Sequence, residues 1–342
     1  MRQRQAKSFP LLAVLCGAPV TEAAWTTNQF DNFFPAWSHG LHDLLDGVWD
    51  GFTSTDTKLE VCRNRLAYDA SVGRGPYWTV ECMLQEFPEF RKAEAASASV
   101  ILGLLPSVLS QLGPTTAQIG LLGSRRPLLA LLLALGAPSF ARPTSQEGSG
   151  GACGCGRRRT KSDRARIILT DLIEYVFALA AAANVAIVTY KLCFWAIEGF
   201  ALSVVFLPAL WVLLAIPIFI VSVLVIYGYF QIRPDDGCPA QWHWYDELTP
   251  CRDQPCVKLK PRPWNCRKQV ATALAWCLHF GIVLHGVLGT LALAGLIFIS
   301  ALDAVVIVLY YVASAVVCKF IIAYELIGLR TKMRFESGQQ RP

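Results

Sequence analysis

The stretch from Gly199 to Ile232 reads GFALSVVFLPALWVLLAIPIFIVSVLVIYGYFQI and contains no charged side chain. An α-helix crosses a hydrocarbon core of about 30 Å with about 20 apolar residues, so this stretch is long enough to span a bilayer. The whole chain has the same character, because 54% of its 342 residues are apolar and only 16% are charged. A soluble fold of this size could not bury so much apolar surface, which excludes a soluble enzyme, a disordered chain and a fibrous protein.

Four other stretches are also apolar enough to span. They cover residues 95–124, 167–190, 269–302 and 304–327. Residues 127–141 are equally apolar, but about fourteen residues reach only about two thirds of the way across the core, so we expect a re-entrant or interfacial segment there. The sequence therefore predicts an all-α membrane protein with about five transmembrane helices. The expected divisions are 95–141 (first helix and re-entrant segment), 142–166 (flexible basic linker), 167–232 (helices two and three), 233–268 (cysteine-rich loop), 269–327 (helices four and five) and 328–342 (tail).

The positions of Lys and Arg predict the orientation, because loops rich in these residues stay in the cytosol. The formal charge is +6, and residues 157–166 alone hold six basic side chains against one acidic one. With the N-terminus outside and five crossings, this cluster, the 233–268 loop and the tail all lie in the cytosol. A crossing at 127–141 would invert them all. We expect a multi-pass protein of the secretory pathway or plasma membrane, with a lumenal or extracellular N-terminus and a cytosolic C-terminus.

Residues 1–23 have the order of a secretory signal peptide. Basic residues up to Lys7 precede an apolar run that ends near Ala18, and small residues follow at Ala23 and Ala24, after either of which we expect cleavage. An uncleaved anchor is the alternative, since Pro10 interrupts the apolar run. Residues 24–94 then form a small exported segment that contains an amphipathic helix. Within this segment, an oxidising lumen predicts a disulfide between Cys62 and Cys82.

Two acidic residues lie inside a predicted span. Asp171 and Glu174 are three residues apart, which puts both carboxylates on one helix face, and Lys319 lies at a comparable depth in the last span. A charge within hydrocarbon costs at least about 2.5 kcal/mol, so such groups face a partner or the bundle interior. Two interpretations remain open. The three side chains meet in a proton or ion site, or they form structural ion pairs and reach toward the interface.

The 233–268 loop contains four cysteines, which are Cys238, Cys251, Cys256 and Cys266. Their spacing is irregular, so a zinc site is only weakly indicated. Reduced or lipid-modified thiols are the alternative in a cytosolic loop, and two disulfides are the alternative in a lumenal one. The chain contains no phosphate-binding, dinucleotide-binding, zinc-helix or nucleophile-elbow motif, and we predict no cofactor.

The linker 142–166 ends in a basic cluster directly before a span. Its members are Arg157, Arg158, Arg159, Lys161, Arg164 and Arg166. Each such side chain contributes about 1 kcal/mol of attraction to an anionic lipid surface, so membrane lipids with anionic headgroups are the expected partners. Nucleic acid is not expected, because no aromatic side chains are interleaved with the bases. Cys153 and Cys155 are candidate palmitoylation sites.

Four segments resemble a family of uncharacterised multi-pass membrane proteins of filamentous fungi (ascomycetes). They are ECMLQEFPEFRKA at 81–93, ILGLLPSVLSQLG at 101–113, RRPLLALLLALGAP at 125–138 and YELIGLR at 324–330. The resemblance extends over about residues 80–330. It implies a fungal membrane protein with an exported N-terminus, and it implies no activity, substrate or catalytic residue.

Two kinds of function are consistent with these features. The first is a non-enzymatic scaffold or sensor that works through its exported segment and its cytosolic loop. The second is a small proton- or ion-coupled transporter that uses Asp171, Glu174 and Lys319. Transport predicts that these three groups converge on a water-accessible cavity, whereas a scaffold predicts local pairing. An intramembrane enzyme is a third alternative, and the sequence does not identify a protein partner.

Overall fold

The computed structural model describes residues 32–38, 41, 68, 77–138, 140, 161–200, 202, 204–234, 257–261 and 266–335. The helices in these ranges are α1 (Tyr77–Glu86), α2 (Glu89–Leu112), α3 (Thr116–Gly123), α4 (Pro127–Gly136), α5 (Lys161–Trp195), α6 (Leu207–Leu213), α7 (Ala215–Tyr229), α8 (Cys266–Ala294) and α9 (Ala301–Lys332). The strands are β1 (Ile197–Glu198), β2 (Phe230–Pro234), β3 (Val257–Pro261), β4 (Leu296–Ile297) and β5 (Met333–Phe335). The predicted all-α class is confirmed, with short strands as a minor addition.

Five helical segments are long and apolar enough to cross a membrane, as the sequence predicts, and they fit an integral membrane protein. They are Glu89–Leu112, Ile168–Trp195, Leu207–Tyr229, Cys266–Ala294 and Ala301–Ile327. The third is broken at Leu214 between α6 and α7, because Pro217 offers no N–H to the carbonyl of Leu213 and its ring crowds that carbonyl. The stretch 95–124 is not one helix. It ends at Leu112 before Gly113 and Pro114, and its remainder forms α3.

Two small sheets show how the five segments run. β1 and β4 pair antiparallel, and they follow the second and fourth segments. At the other end β3 pairs with β2, which follows the third segment, and with β5, which follows the fifth. The connections after the second and fourth segments therefore lie at one end of the bundle, and those after the third and fifth segments lie at the other end. Successive segments thus run in opposite directions. We call these the β1–β4 end and the β2–β3–β5 end.

The N-terminal residues 32–38 lie on the β1–β4 end. Phe33 and Trp37 pack with α1 and with Ile197 and Phe298 in a hydrophobic cluster separate from the main core. The N–H of Ala36 also donates to the Asp303 carboxylate, 3.2 Å away, at the start of α9. Residues 32–38 are therefore docked onto the bundle.

The short helix α4 enters the bundle without crossing it. Leu129, Ala130 and Leu133 are fully buried, and Gly136 at its end lies so close to Cys318 that a Cβ there would be 2.7 Å from the Cys318 sulfur. Cys318 is in the interior of the fifth segment, whereas Arg126 at the start of α4 is close to the N-terminal part of α5. α4 therefore ends inside the bundle, and the re-entrant or interfacial arrangement of residues 127–141 stays a prediction.

Candidate functional site: a buried arginine among three carboxylates

Arg126 lies between α3 and α4, and its side chain is fully buried. Its Nη1 is 2.8 Å from Glu174 Oε2 and 3.1 Å from Glu325 Oε1, and its Nη2 donates to Asp171 Oδ1. The three acidic residues are themselves at most 5% exposed. We call these four residues the Arg126 cluster.

The local sequence places Arg126 at this point. Its N–H donates to the carbonyl of Leu122 at 2.7 Å, which closes the end of α3, and its own carbonyl accepts the N–H of Ala130 at 3.0 Å, which opens α4. Pro127 takes the first helical position of α4, where a missing N–H has no cost. The guanidinium also lies 5.4 Å from the ring centroid of Tyr175, at cation–π distance.

The cluster has one cation for three acidic groups. Burial by itself lowers the pKa of the Arg126 guanidinium, but the charges of the three carboxylates together raise that pKa above its ordinary value. Arg126 is therefore a permanent cation. A single positive charge cannot balance three ionised carboxylates, and the carboxyls of Glu174 and Glu325 also interact with each other.

Lys319 is outside this cluster. Its Nζ donates to the carbonyl of Gly113 at 3.0 Å, at the C-terminal end of α2. The structure thus brings Asp171 and Glu174 together, but their cation is Arg126 and not Lys319. The reason is geometric, because α4 brings Arg126 beside α5, while Lys319 faces α2. The predicted orientation puts the residues between the first span and the apolar segment 127–141, Arg126 among them, in the cytosol, although the basic pair directly before that segment was a signal that could have marked Arg126.

Three cavities lie elsewhere in the bundle, and no residue of the Arg126 cluster lines them. One of about 570 Å³ lies between α7 and α8 and is almost wholly apolar. Another of about 560 Å³ lies between α2 and α8 and includes Ser107, Ser110 and Thr290. His285 borders both, and its Nε2 is 2.8 Å from the carbonyl oxygen of Trp211. Since a carbonyl only accepts hydrogen bonds, Nε2 carries the proton.

A fourth buried carboxyl lies at the β1–β4 end. Glu198 is 2% exposed, and neither carboxyl oxygen has a hydrogen-bond partner within the described residues. Its Oε2 lies so close to Gly295 that a Cβ at that glycine would be 2.7 Å away. Because burial disfavours the ionised form, the pKa of Glu198 is raised to about 8. This carboxyl is therefore largely protonated at neutral pH, and no sequence pattern pointed to it.

Of the two cysteines in the predicted disulfide, only Cys82 lies within the described residues. Cys82 is disulfide-bonded, and the other described cysteines, Cys193, Cys266, Cys277 and Cys318, are free thiols. The partner of Cys82 therefore lies outside the described residues, as Cys62 does, and the pairing with Cys62 stays a prediction.

Most of the predicted lipid and metal candidates also lie outside the described residues. Cys238, Cys251, Cys256, Arg157, Arg158 and Arg159 are in this group. Lys161, Arg164 and Arg166 belong to the first turns of α5, and Cys266 is the first residue of α8. Across the part of the chain that the structure describes, no three His, Cys, Asp or Glu side chains are grouped so that they could hold a metal ion.

Comparison with protein-family models, with curated proteins and with solved structures gives no match for this chain.

Proposed function

We propose that the chain is a multi-pass membrane protein that acts as a scaffold or sensor and not as a transporter. The observation that carries this proposal is the closure of the Arg126 cluster. All four residues are at most 5% exposed, they pair with one another, and none of them lines a described cavity. A transport site has to be accessible to water, whereas a structural group of ion pairs is closed to water.

The Arg126 cluster joins three separate parts of the bundle. Arg126 comes from the connection between α3 and α4, Asp171 and Glu174 come from α5, and Glu325 comes from α9. Removing one partner from a buried ion pair costs about 3–5 kcal/mol, because the other charge is left without compensation. The cluster therefore fixes α4 against two spanning-length helices.

Two observations support an N-terminus outside and a C-terminus in the cytosol. Cys82 is disulfide-bonded on the side of the bundle that carries the N-terminal residues, and disulfides persist in oxidising compartments. The opposite end carries bases in its strands and helix ends, among them Arg233, Lys258 and Arg267. Basic loops stay in the cytosol, so the β2–β3–β5 end is the cytosolic one in this proposal.

A sensor or scaffold needs a surface on at least one side of the membrane. On the outer side, residues 32–38 and α1 form a docked module around Phe33, Trp37 and Phe87. On the inner side, a small sheet ties the cysteine-rich loop to the residues that follow the last span. Both are continuous with the bundle, so a change at either surface is coupled mechanically to the spans.

A proton-coupled transporter remains the second candidate, because one guanidinium faces three carboxyls. Purified protein in liposomes with an internal pH-sensitive dye distinguishes the two. A scaffold predicts a proton flux equal to that of empty liposomes under an imposed pH gradient. A flux that disappears in the Asp171→Asn, Glu174→Gln, Glu325→Gln triple variant, while folding is preserved, would establish transport instead.

Orientation is tested at Cys266, which is exposed at the start of α8. A variant that keeps this cysteine and has Ser at the other free positions is treated with a membrane-impermeant maleimide. Labelling only after permeabilisation supports the cytosolic assignment, and labelling of intact cells contradicts it. A second variant that keeps Cys277 and has Ser at Cys266 is the control, because Cys277 is also exposed but lies inside the fourth spanning-length segment and should stay unlabelled in both states.

A further inference from the structure

The helix α8 touches α7 and α6 near its two ends and separates from them in between. At one end a Cβ on Gly228 of α7 would overlap Ala271, and at the other a Cβ on Gly289 would overlap the ring of Trp211 in α6. At Gly281, between these two contacts, a Cβ would meet nothing within 4 Å. The gap is the cavity of about 570 Å³ described above, which we call the α7–α8 cavity.

The α7–α8 cavity is long, apolar and open to the outside of the bundle. Its lining extends along α8 from Cys277 to Leu291, which is about 21 Å of helix. Apart from Cys277 and His285, the side chains that line it are aliphatic. Leu284 and Leu291 are more than half exposed, so the cavity opens where lipid would surround the bundle. Because an empty space leaves its lining atoms without van der Waals contacts, part of a lipid molecule would fill it.

His285 gives this apolar cavity one strong side-chain acceptor. The residue is 4% exposed, and its Nε2 donates to the Trp211 carbonyl at 2.8 Å, which leaves the lone pair on Nδ1. Nδ1 makes no hydrogen bond within the described residues. It is also not sealed off from its surroundings, unlike the buried and unpaired Nε1 of Trp211. A ligand in the cavity can therefore reach an acceptor that the protein itself does not use.

The depth of His285 restricts the group that can bind there. It lies nine residues before the end of α8 at Ala294, or about 14 Å, which is close to the middle of a hydrocarbon core of about 30 Å. A charge is costly at this depth, so the imidazole is neutral and a phosphate or ammonium headgroup is excluded. A hydroxyl carries no charge and can donate to Nδ1, so that neither group stays unpaired in hydrocarbon.

We propose that the α7–α8 cavity binds a sterol, whose hydroxyl donates a hydrogen bond to Nδ1 of His285. A sterol combines one neutral hydroxyl with an otherwise apolar body, which matches one acceptor in an aliphatic lining. Its ring system is rigid, so it loses less conformational freedom on binding than a flexible single-chain alcohol does. The inference rests on the membrane embedding proposed above, and it gives the scaffold or sensor function a ligand of stated chemistry.

The test uses the full chain purified in a neutral detergent without added sterol. Radiolabelled cholesterol is the probe, and cholestenone, which has a carbonyl in place of the hydroxyl, is the matched competitor. We expect saturable binding of cholesterol and about tenfold weaker competition by cholestenone, because a hydrogen bond of ordinary net strength corresponds to about tenfold in affinity.

The variant His285→Gln tests the acceptor. Its side-chain amide keeps an N–H donor for the Trp211 carbonyl but places no acceptor at the position of Nδ1. The variant should bind cholesterol about tenfold more weakly than the wild type and should no longer prefer it to cholestenone.

Two glycines of α8 provide matched variants for the cavity itself. Gly281 lines the α7–α8 cavity, whereas Gly286 lines the cavity between α2 and α8, and a Cβ at either position would meet nothing within 4 Å. Gly281→Leu should fill the site and abolish cholesterol binding, and Gly286→Leu should leave it unchanged. Size-exclusion profiles and melting temperatures show whether both variants fold. If Gly281→Leu does not fold, the comparison of the two ligands on the wild type decides alone.

Several results would overturn the proposal. They are the absence of saturable cholesterol binding, equal competition by cholesterol and cholestenone, tighter binding of oleyl alcohol than of cholesterol, and loss of binding in Gly286→Leu but not in Gly281→Leu. Alkaline carbonate extraction of membranes is run in parallel. Release of the protein would contradict the membrane embedding itself, whereas a retained protein without cholesterol binding would contradict the sterol site alone.

Discussion

The Nη1 atom of Arg126 lies 3.1 Å from Oε1 of Glu325, although about 200 residues separate the two in the sequence. The contact connects the start of a half-length helix to the last spanning-length helix. Asp171 and Glu174 on α5 complete the group. Three parts of the chain that are distant in sequence therefore depend on one guanidinium for their mutual position.

Replacement of Arg126 by Met should destabilise the protein severely. The change leaves three buried carboxyls without a cation, and breaking a buried pair in this way costs about 3–5 kcal/mol. We expect a large loss of monodisperse protein in fluorescence-detected size-exclusion chromatography and a clear fall in melting temperature. The control is Arg125→Gln, which changes the partly exposed neighbour. A melting temperature for Arg126→Met equal to that of the control would show that the cluster does not hold the bundle together.

Removal of all four charges should be better tolerated than removal of Arg126 alone. In the combination of Arg126→Met with Asp171→Asn, Glu174→Gln and Glu325→Gln, no uncompensated charge remains in the interior. Buried ion pairs can often be replaced by neutral side chains at little cost, since the desolvation penalty disappears together with the attraction. We expect the quadruple variant to regain part of the yield and melting temperature lost in Arg126→Met. No recovery at all would mean that the arginine is needed for its shape and hydrogen bonds and not for its charge.

The buried carboxyl of Glu198 should make stability fall as the pH rises. Its pKa is raised from 4.5 to about 8 in the folded chain, so between these values the folded state holds a proton that the unfolded state has released. Stability then decreases from about pH 4.5 to about pH 8 and levels off above it. The melting temperature in detergent, measured from pH 5 to pH 9, should show this slope for the wild type and a smaller slope for Glu198→Gln. Glu89→Gln, a change at an exposed acid, should keep the wild-type slope, and a Glu198→Gln slope identical to it would refute this assignment.

Two glycines of α8 offer a matched pair for testing the helix packing. A Cβ at Gly289 would lie 2.3 Å from Nε1 of Trp211, whereas a Cβ at Gly281 would meet nothing within 4 Å. Overpacking of this kind costs about 1–3 kcal/mol, so Gly289→Ala should lower the melting temperature. Gly281→Ala should leave it unchanged or raise it slightly, because Ala is about 1 kcal/mol better than Gly in a helix interior. The reverse order would mean that Trp211 does not pack against α8 at this point.

The spanning-length segments were predictable because each one is a long apolar run, and the structure ends them within a few residues of where charges or prolines appear. The break at Leu214 was not predicted, although Pro217 lies inside the apolar stretch, since a proline can kink a helix without ending it. The short strands β1 and β4 contain two residues each, too few to show any periodicity.

Of the four residues of the candidate site, the sequence singled out two, Asp171 and Glu174. Asp171 and Glu174 were found because an acid inside an apolar run is costly. The identity of their cation depends on where the short helix α4 packs, and this is a property of tertiary structure that neither residue spacing nor hydropathy indicates. Glu198 was missed for the opposite reason, because a single acid at the end of a span is expected to face water, and here it does not.

Lys319 provides the last test, because the transport and scaffold hypotheses treat it differently. Its Nζ donates to the carbonyl of Gly113, which has lost its helical partner at the end of α2. A hydrogen bond to a charged group is worth about 1.5–3 kcal/mol, so Lys319→Met should lower the melting temperature by a corresponding moderate amount and leave proton flux in liposomes at the level of empty vesicles. Lys319→Arg keeps a donor in reach of that carbonyl and should recover most of the stability. A Lys319→Met protein that is as stable as the wild type but has an altered proton flux would place the lysine in a transport pathway and count against the scaffold.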